Sequence, residues 1–441
     1  MRRRMFLTIG GSAGIASLAG CSDENGVKDS DGDGLIDSQD YAPKDPDVQQ
    51  KADLSTPIGK TETPTETPSG TATATQTSTP TARPTDTATA TATETANSIR
   101  VRSDNRPQIL SHFTEYGVEE ASVSLNTDGP RLSEVSYEEL WVVAADYDYN
   151  VYATGKTSIS GANGSNEQFS AELEWESKPI GTPLFLFVLL APKGSRYENL
   201  SGSNTKFLIE TDPFELSDKR TVSRTTLPEL AGMEAESGEG YQRNPIEGEF
   251  ELIFQGSTNG QSWNVSFTIF KSGYVGSKRR DHGRSRSEYV AYEMDNGFSS
   301  SMAQILSEEA ERNGFTDKRL QVEFIIDFIQ HLPYVPDDVS TGYDDYTKFG
   351  NELFAEMGGD CEDTAISLVG ILQSEPFEYD MVLIQPPGHM AAGIYGKDDL
   401  PGVYWEYDGR RYYYIETTGV GWGIGDLPDT YKDSKAYVHQ V

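Results

Sequence analysis

Gly358-Gly359-Asp360-Cys361-Glu362-Asp363-Thr364-Ala365 opens a run that continues Ile366-Ser367-Leu368-Val369-Gly370-Ile371-Leu372. Apolar residues at 365, 366, 368, 369 and 372 recur every three to four positions, so the spacing predicts a helix over 361–373 with Cys361 in its first turn. Amides at a helix start lack intrahelical acceptors and carry the positive end of the dipole, which favours a thiolate there. The glycine pair before it lets the backbone turn tightly. Three strands are expected beyond the helix, over 380–384, 389–395 and 412–416, the second opened by His389 and the third closed by Glu416. A thiol, an imidazole and a carboxylate are the parts from which a nucleophile is made and oriented. Asp360, Glu362 and Asp363 work against the thiolate, because nearby carboxylates raise a thiol's pKa. A cation, or an ion pair with His389, relieves that conflict.

Upstream, helices are expected over 299–312, stopped by Asn313-Gly314, and over 317–331, where Leu320, Phe324, Ile325, Phe328 and Ile329 form one apolar stripe ending before Pro333. Phe250 to Phe254 and Trp263 to Phe270 read as strands joined over Asn259-Gly260. Lys278, Arg279, Arg280, Arg284 and Arg286 form the one basic cluster; it reads as a solvated loop or as internal ion pairs, with recruitment of an acidic partner as the alternative. Gln330 and Tyr334 read as core or loop, and His112, His282, His331 and His439 as weaker competitors for the role of base.

Residues 99–230 alternate apolar with polar positions (Phe169, Ala171, Leu173, Trp175) and carry two short apolar runs, 140–144 and 184–191. Turn residues bound these segments, and an all-β sandwich of about seven strands is the expected fold. Residues 215–240 are polar and read as loop. Sequons at Asn163, Asn199 and Asn264 permit N-glycosylation.

The first 100 residues read as delivery. Arg3-Arg4-Met5-Phe6-Leu7 is similar to a twin-arginine export signal and Leu18-Ala19-Gly20-Cys21 to a lipobox, with an apolar run between them shorter than the roughly 20 residues that span a bilayer. Cys21 is then the lipid anchor on the outer face of the cytoplasmic membrane. Asp29, Asp31, Asp33, Asp37 and Asp40 fall at alternate positions of a calcium loop with Gly34 at its sharp turn. The loop resembles thrombospondin type 3 repeats, and Asp40 stands where a Glu would chelate through both oxygens. Residues 53–98 are Thr, Pro, Ala and Glu with few large apolar side chains, a disordered stalk.

The formal charge is −34, from 70 acidic and 36 basic residues, which excludes nucleic acid as a partner because phosphates would be repelled. A carboxylate-dense, lysine-poor exterior resembles that of proteins from salt-loving archaea. The two cysteines are Cys21 and Cys361; each has a job of its own, so no disulfide is expected.

GGDCEDTA, PGHMAAGIY and YYYIETT, in that order, resemble the transglutaminase-like cysteine peptidase superfamily over roughly residues 285–441. The resemblance implies a papain-like α+β domain over 240–441 following the sandwich, with Cys361 as nucleophile, His389 as general base and acid, and Glu416, in place of the family's usual Asp, orienting the imidazole. It further implies Asp360 and Asp363 as calcium ligands beside the nucleophile. The activity implied is hydrolysis of a peptide or protein substrate through a thioacyl intermediate. The alternatives are a protein-crosslinking transglutaminase and a non-catalytic calcium-binding adhesion or assembly module. If the lipobox reading holds, Cys21→Ser shifts the protein from the membrane fraction to the medium; unchanged fractionation on immunoblots would count against it.

Overall fold

Leu140-Trp141-Val142-Val143-Ala144-Ala145 is apolar without a break because both of its faces are buried. Leu140, Val142 and Ala144 point into the core of a β-sandwich, while Trp141, Val143 and Ala145 point the other way, into the core of the C-terminal half. The paired strand Leu184–Ala191 divides in the same manner: Leu184, Leu186, Val188 and Leu190 face the sandwich, and Phe185, Phe187, Leu189 and Ala191 face the second core. Period-two alternation thus gives one sheet two apolar faces, as in sheets covered on both sides.

The computed structural model describes residues 98–100, 111–125, 137–160, 167–201, 204–217, 221–337, 346–397, 400–432 and 434–441. The export signal, Cys21, the acidic loop Asp29–Asp40, the stalk and the sequon at Asn163 lie outside them.

The sandwich pairs a four-stranded sheet (Ser98–Arg100, Ser111–Gly117, Glu120–Leu125, Glu167–Glu172) with a seven-stranded one centred on Glu139–Asp146 and Leu184–Ala191. Phe113, Tyr116, Val123 and Phe214 fill the space between. More strands form than the sequence signals. Phe214–Leu216 and Val222–Arg224, within or bordering the stretch read as loop, pair antiparallel because Phe214, Leu216 and Val222 are buried. Asn199 and Asn264 are exposed.

The C-terminal half begins with a meander of four strands, β1 (Glu236–Gly238), β2 (Tyr241–Ile246), β3 (Glu249–Thr258) and β4 (Gln261–Phe270). The β3–β4 hairpin turns on Asn259 and Gly260, both at positive φ, as a two-residue turn demands. Among the described residues six α-helices follow: α1 (Lys271–Lys278), α2 (Arg286–Asp295), α3 (Phe298–Arg312), α4 (Lys318–Gln330), α5 (Gly350–Ala355) and α6 (Cys361–Gln373). The sequence reading missed α1, α2 and α5, the last within the stretch before Gly358 that reads as an acidic, aromatic loop. α1 carries two glycines and poor intrinsic propensity, and burial of Tyr274 and Val275 holds it. α2 is started by a capping box between Ser285 and Glu288.

α6 packs on an antiparallel sheet of order β7-β8-β6-β5-β9, formed by β5 (Met381–Gln385), β6 (Ala391–Tyr395), β7 (Tyr404–Tyr407), β8 (Arg410–Ile415) and β9 (Tyr437–Gln440). The expected boundaries of α6 agree with the structure, and strand ends differ by one or two residues. β6 pairs β8 with Ala392 opposite Ile415, which brings the residue two before β6 (His389) and the one after β8 (Glu416) to the same edge.

Phe185 packs edge-on against Tyr149 and at a tilt against Tyr147 and Phe187 in the shared core. Phe185→Ala should cost about 3–5 kcal/mol. Because both halves rest on that face, calorimetry of residues 22–441 should show one transition at lower temperature. Two separated transitions would refute the shared core.

Candidate active site

Three backbone features set the position of Cys361. Gly358 and Gly359 precede α6 with φ outside the left-handed region, so glycine is needed there for space rather than for turn handedness. A Cβ on Gly358 would lie 2.6 Å from the Pro333 carbonyl oxygen, and one on Gly359 would collide with Asp363. The positive φ falls on Met357 instead. Lys348, fully buried, donates from Nζ to the Gly358 carbonyl (2.9 Å) and pairs with Glu356 (3.2 Å), while its backbone N–H donates to Asp363 Oδ1 (2.7 Å). Asp363 Oδ2 in turn accepts the Asp360 N–H (3.2 Å). The N-terminus of α6 is thereby fixed from outside the helix.

His389 and Glu416 meet directly. Glu416 is buried, and its carboxylate accepts His389 Nε2–H (3.0 Å), the Tyr414 hydroxyl (2.8 Å), the Thr417 and Thr418 amides (3.0 Å each) and the Thr418 hydroxyl (2.7 Å). Burial alone would raise its pKa, but the hydrogen bond and charge of His389 and the Thr418 donors outweigh it and hold the carboxyl below its ordinary value. With Nε2 engaged, Nδ1 is the nitrogen left to His389 for a reacting group. Tyr431 stacks parallel to the imidazole at 5.2 Å and fixes its plane.

The backbone amide of Met390, the residue after His389, lies close enough to the Cys361 sulfur to favour its thiolate. Its proton points elsewhere: Sγ donates to Glu362 Oε2 at 3.3 Å, and among the described residues no hydrogen bond joins it to His389. Burial pushes the thiol pKa up, the charges of Glu362 and Asp360 push it further, and the Met390 amide opposes them by less. The resting sulfur is therefore a thiol. Cys361 forms no disulfide.

The sequence reading placed Glu362 among the acids that oppose the thiolate, but it named no partner for it and gave Arg286 and Asp337 no role as individuals. Arg286 bonds to Thr347 and to Glu362 Oε1 (3.2 Å), so the acid holding the thiol proton is itself held by a cation. The rest of the basic cluster is internal as well. Lys278 pairs with Glu352 and Glu356, Arg279 with Glu229, and Arg280 and Arg284 lie over the Tyr292 ring. The signal was the cluster itself, five cations in an acidic chain. Asp337 sits in what reads as an acidic loop, and nothing in its local sequence marks it. With Asp360 and Asp363 it brings three carboxylate oxygens within 4.8 Å of one another, all from buried residues. Asp360 Oδ1 is buried with no hydrogen-bond partner. Burial, then the hydrogen bond and charge of Glu362 and the charge of Asp337, raise Asp360 to about 8, and burial with the Asp360 charge raises Asp363 well above the usual range. An oxygen-only set that holds protons when empty suits a hard cation, whose binding would displace them.

Gln330 does not line a cleft. Its Nε2 donates to the carbonyls of Glu416 (2.8 Å) and Trp422 (2.9 Å), and its Oε1 accepts the Gly421 amide (3.1 Å), tying the loop after β8 to the end of α4. Thr364 on α6 reaches the same loop, 3.0 Å from Thr417 Oγ1. The competing histidines are engaged elsewhere: His282 with Glu352, His331 against Trp263, His439 with Gln385. No family model and no curated protein matches the chain.

Glu416 has a depressed pKa, so its contribution to stability is present above the unfolded carboxyl's pKa and is lost as pH falls through the folded value. Glu416→Gln should therefore cost about 2 kcal/mol at pH 7, and denaturant titrations should show the gap to wild type closing as pH drops below about 4. A gap independent of pH would contradict the assignment of charge to this group.

Proposed function

We propose that the chain is a surface-anchored cysteine hydrolase of peptide or protein substrates, with the papain-like, transglutaminase-like arrangement of its α+β half and the lipid on Cys21 as its anchor. The observation that carries this is the His389–Glu416 contact. A buried carboxylate with four further donors holds one ring nitrogen, and the backbone amide of the residue after that histidine lies near the sulfur at the start of α6.

In the reacting state the thiol leaves Glu362 and gives its proton to His389 Nδ1, producing a thiolate–imidazolium pair that Glu416 stabilises through Nε2–H. The sulfur attacks the carbonyl carbon of the scissile amide. The oxyanion that forms is met by the amides at the start of α6, with the Cys361 N–H the nearest donor along the chain. Imidazolium then gives its proton to the amide nitrogen, the C–N bond breaks, and a thioester on Cys361 remains. Water adds to that thioester as His389 takes its proton. Collapse releases the acid, and the proton returns to sulfur. Asp337, Asp360 and Asp363 would hold a calcium ion, which when bound would offset the negative charge that keeps the thiol protonated. The acidic loop Asp29–Asp40 is read as a second, structural calcium site between anchor and stalk.

Iodoacetamide treatment of residues 22–441, followed by peptide mapping, tests the reading. Carboxamidomethylation of Cys361 should slow by about 10²-fold in His389→Ala, with far-UV circular dichroism unchanged. Labelling no faster than that of glutathione and indifferent to His389→Ala would overturn it.

A further inference from the structure

The segment Pro333-Tyr334-Val335-Pro336 runs beside the residues that lead into the nucleophile. Tyr334 forms a parallel bridge with Gly359, in which Gly359 N–H donates to Pro333 O (3.2 Å) and Val335 N–H donates to Gly359 O (2.9 Å). In that pattern the N–H and C=O of Tyr334 itself point away from Gly359. Among the described residues Tyr334 makes no hydrogen bond by backbone or side chain. Its ring is also 58% exposed, while nearly every other aromatic of this half is buried or half-buried. The phenol lies close enough to Cys361, Asp360 and Glu362 to feel their charges.

A large aromatic left in solvent on a fixed backbone beside a reactive sulfur asks for a ligand. The backbone is fixed twice, by the bridge to Gly359 and by prolines on either side that restrict φ. Resting on the hydrolase reading above, we propose that Tyr334 is the residue that aligns the substrate: an extended peptide pairs with its backbone N–H and C=O and lays an apolar side chain against its ring. Strand addition to a free edge supplies main-chain hydrogen bonds whatever the sequence, and the ring supplies preference at one position. Pro336, the next residue with the same orientation, has no N–H to offer. The edge is therefore one residue long: it takes up a short stretch of peptide and stops a longer strand from continuing the pairing. The substrate class that fits is an unfolded or loop segment with an apolar side chain near the scissile amide, since a peptide already paired in a sheet could not present its own edge.

The test uses residues 22–441 and a set of tripeptidyl fluoromethyl ketones, in which one phenylalanine is moved through the three positions of a triglycyl probe. In wild type, one position should label Cys361 about tenfold faster than triglycyl, the size of effect an aromatic pair gives. Tyr334→Ala should bring that probe to within about twofold of triglycyl, and Tyr334→Phe should keep the preference, because the ring rather than the hydroxyl provides it. N-methylation of the probe amide that pairs with Tyr334 should remove the gain in wild type as well. Iodoacetamide, which needs no alignment, should label wild type and both variants at equal rates. A phenylalanine preference that is absent in wild type, or that survives Tyr334→Ala, would overturn the proposal while leaving the hydrolase reading intact. A Cys361 that neither iodoacetamide nor any peptidyl probe labels faster than glutathione would overturn both.

Discussion

The site depends on keeping one carboxylate ionised away from water. An isolated buried carboxylate would take up a proton rather than stay charged. Glu416 stays ionised because His389, Tyr414, Thr417 and Thr418 donate five hydrogen bonds to it. Four of those hydrogen bonds come from within two residues of Glu416 and the fifth from His389, so satisfying this one group ties the segment before β6 to the end of β8. The loop that bears Glu416 is tied to α4 through Gln330 and to α6 through Thr364. The histidine, the carboxylate and the helix with the cysteine are thus located by one polar cluster, and the aromatic cover of Tyr431 sets the ring plane.

Charge around the sulfur is arranged less simply. Asp360, Glu362, Asp363 and Asp337 surround the start of α6, where the helix dipole alone would favour a thiolate. The acids win at rest, and the thiol stays protonated on Glu362. Three cations stand near that surplus: Arg286 on Glu362, Lys348 under Gly358, Lys278 between Glu352 and Glu356. The basic cluster counters negative charge inside the fold, and a ligand of opposite sign is not needed to account for it.

Much of this was legible in the residues. The 3.6-residue period and the glycine pair set the start and end of α6. Alternation with an Asn-Gly turn gave the β3–β4 hairpin, and the order thiol, imidazole, carboxylate picked three residues of which two are now seen bonded and the third adjacent. What was not legible depends on tertiary partners. α1 has glycines in its interior and forms because Tyr274 and Val275 find a core. Asp337 joins Asp360 and Asp363 only through the bridge between 333–335 and 359. The thiol's partner was also out of reach, because a sequence lists Glu362 and His389 as equals and only coordinates say which one the proton points to.

The continuous apolar runs at 140–145 and 184–191 carry a consequence for whether the two halves can be separated. A module that can be cut out and moved keeps a wetted surface on every side, yet the seven-stranded sheet presents Trp141, Phe185 and Phe187 to the helices and meander of the other half. The buried core therefore continues across the start of the second half near residue 240. Cut there, each piece would carry an aromatic face into water, with the aggregation that such patches bring. The sandwich sheet is in effect a wall of the C-terminal half's own interior.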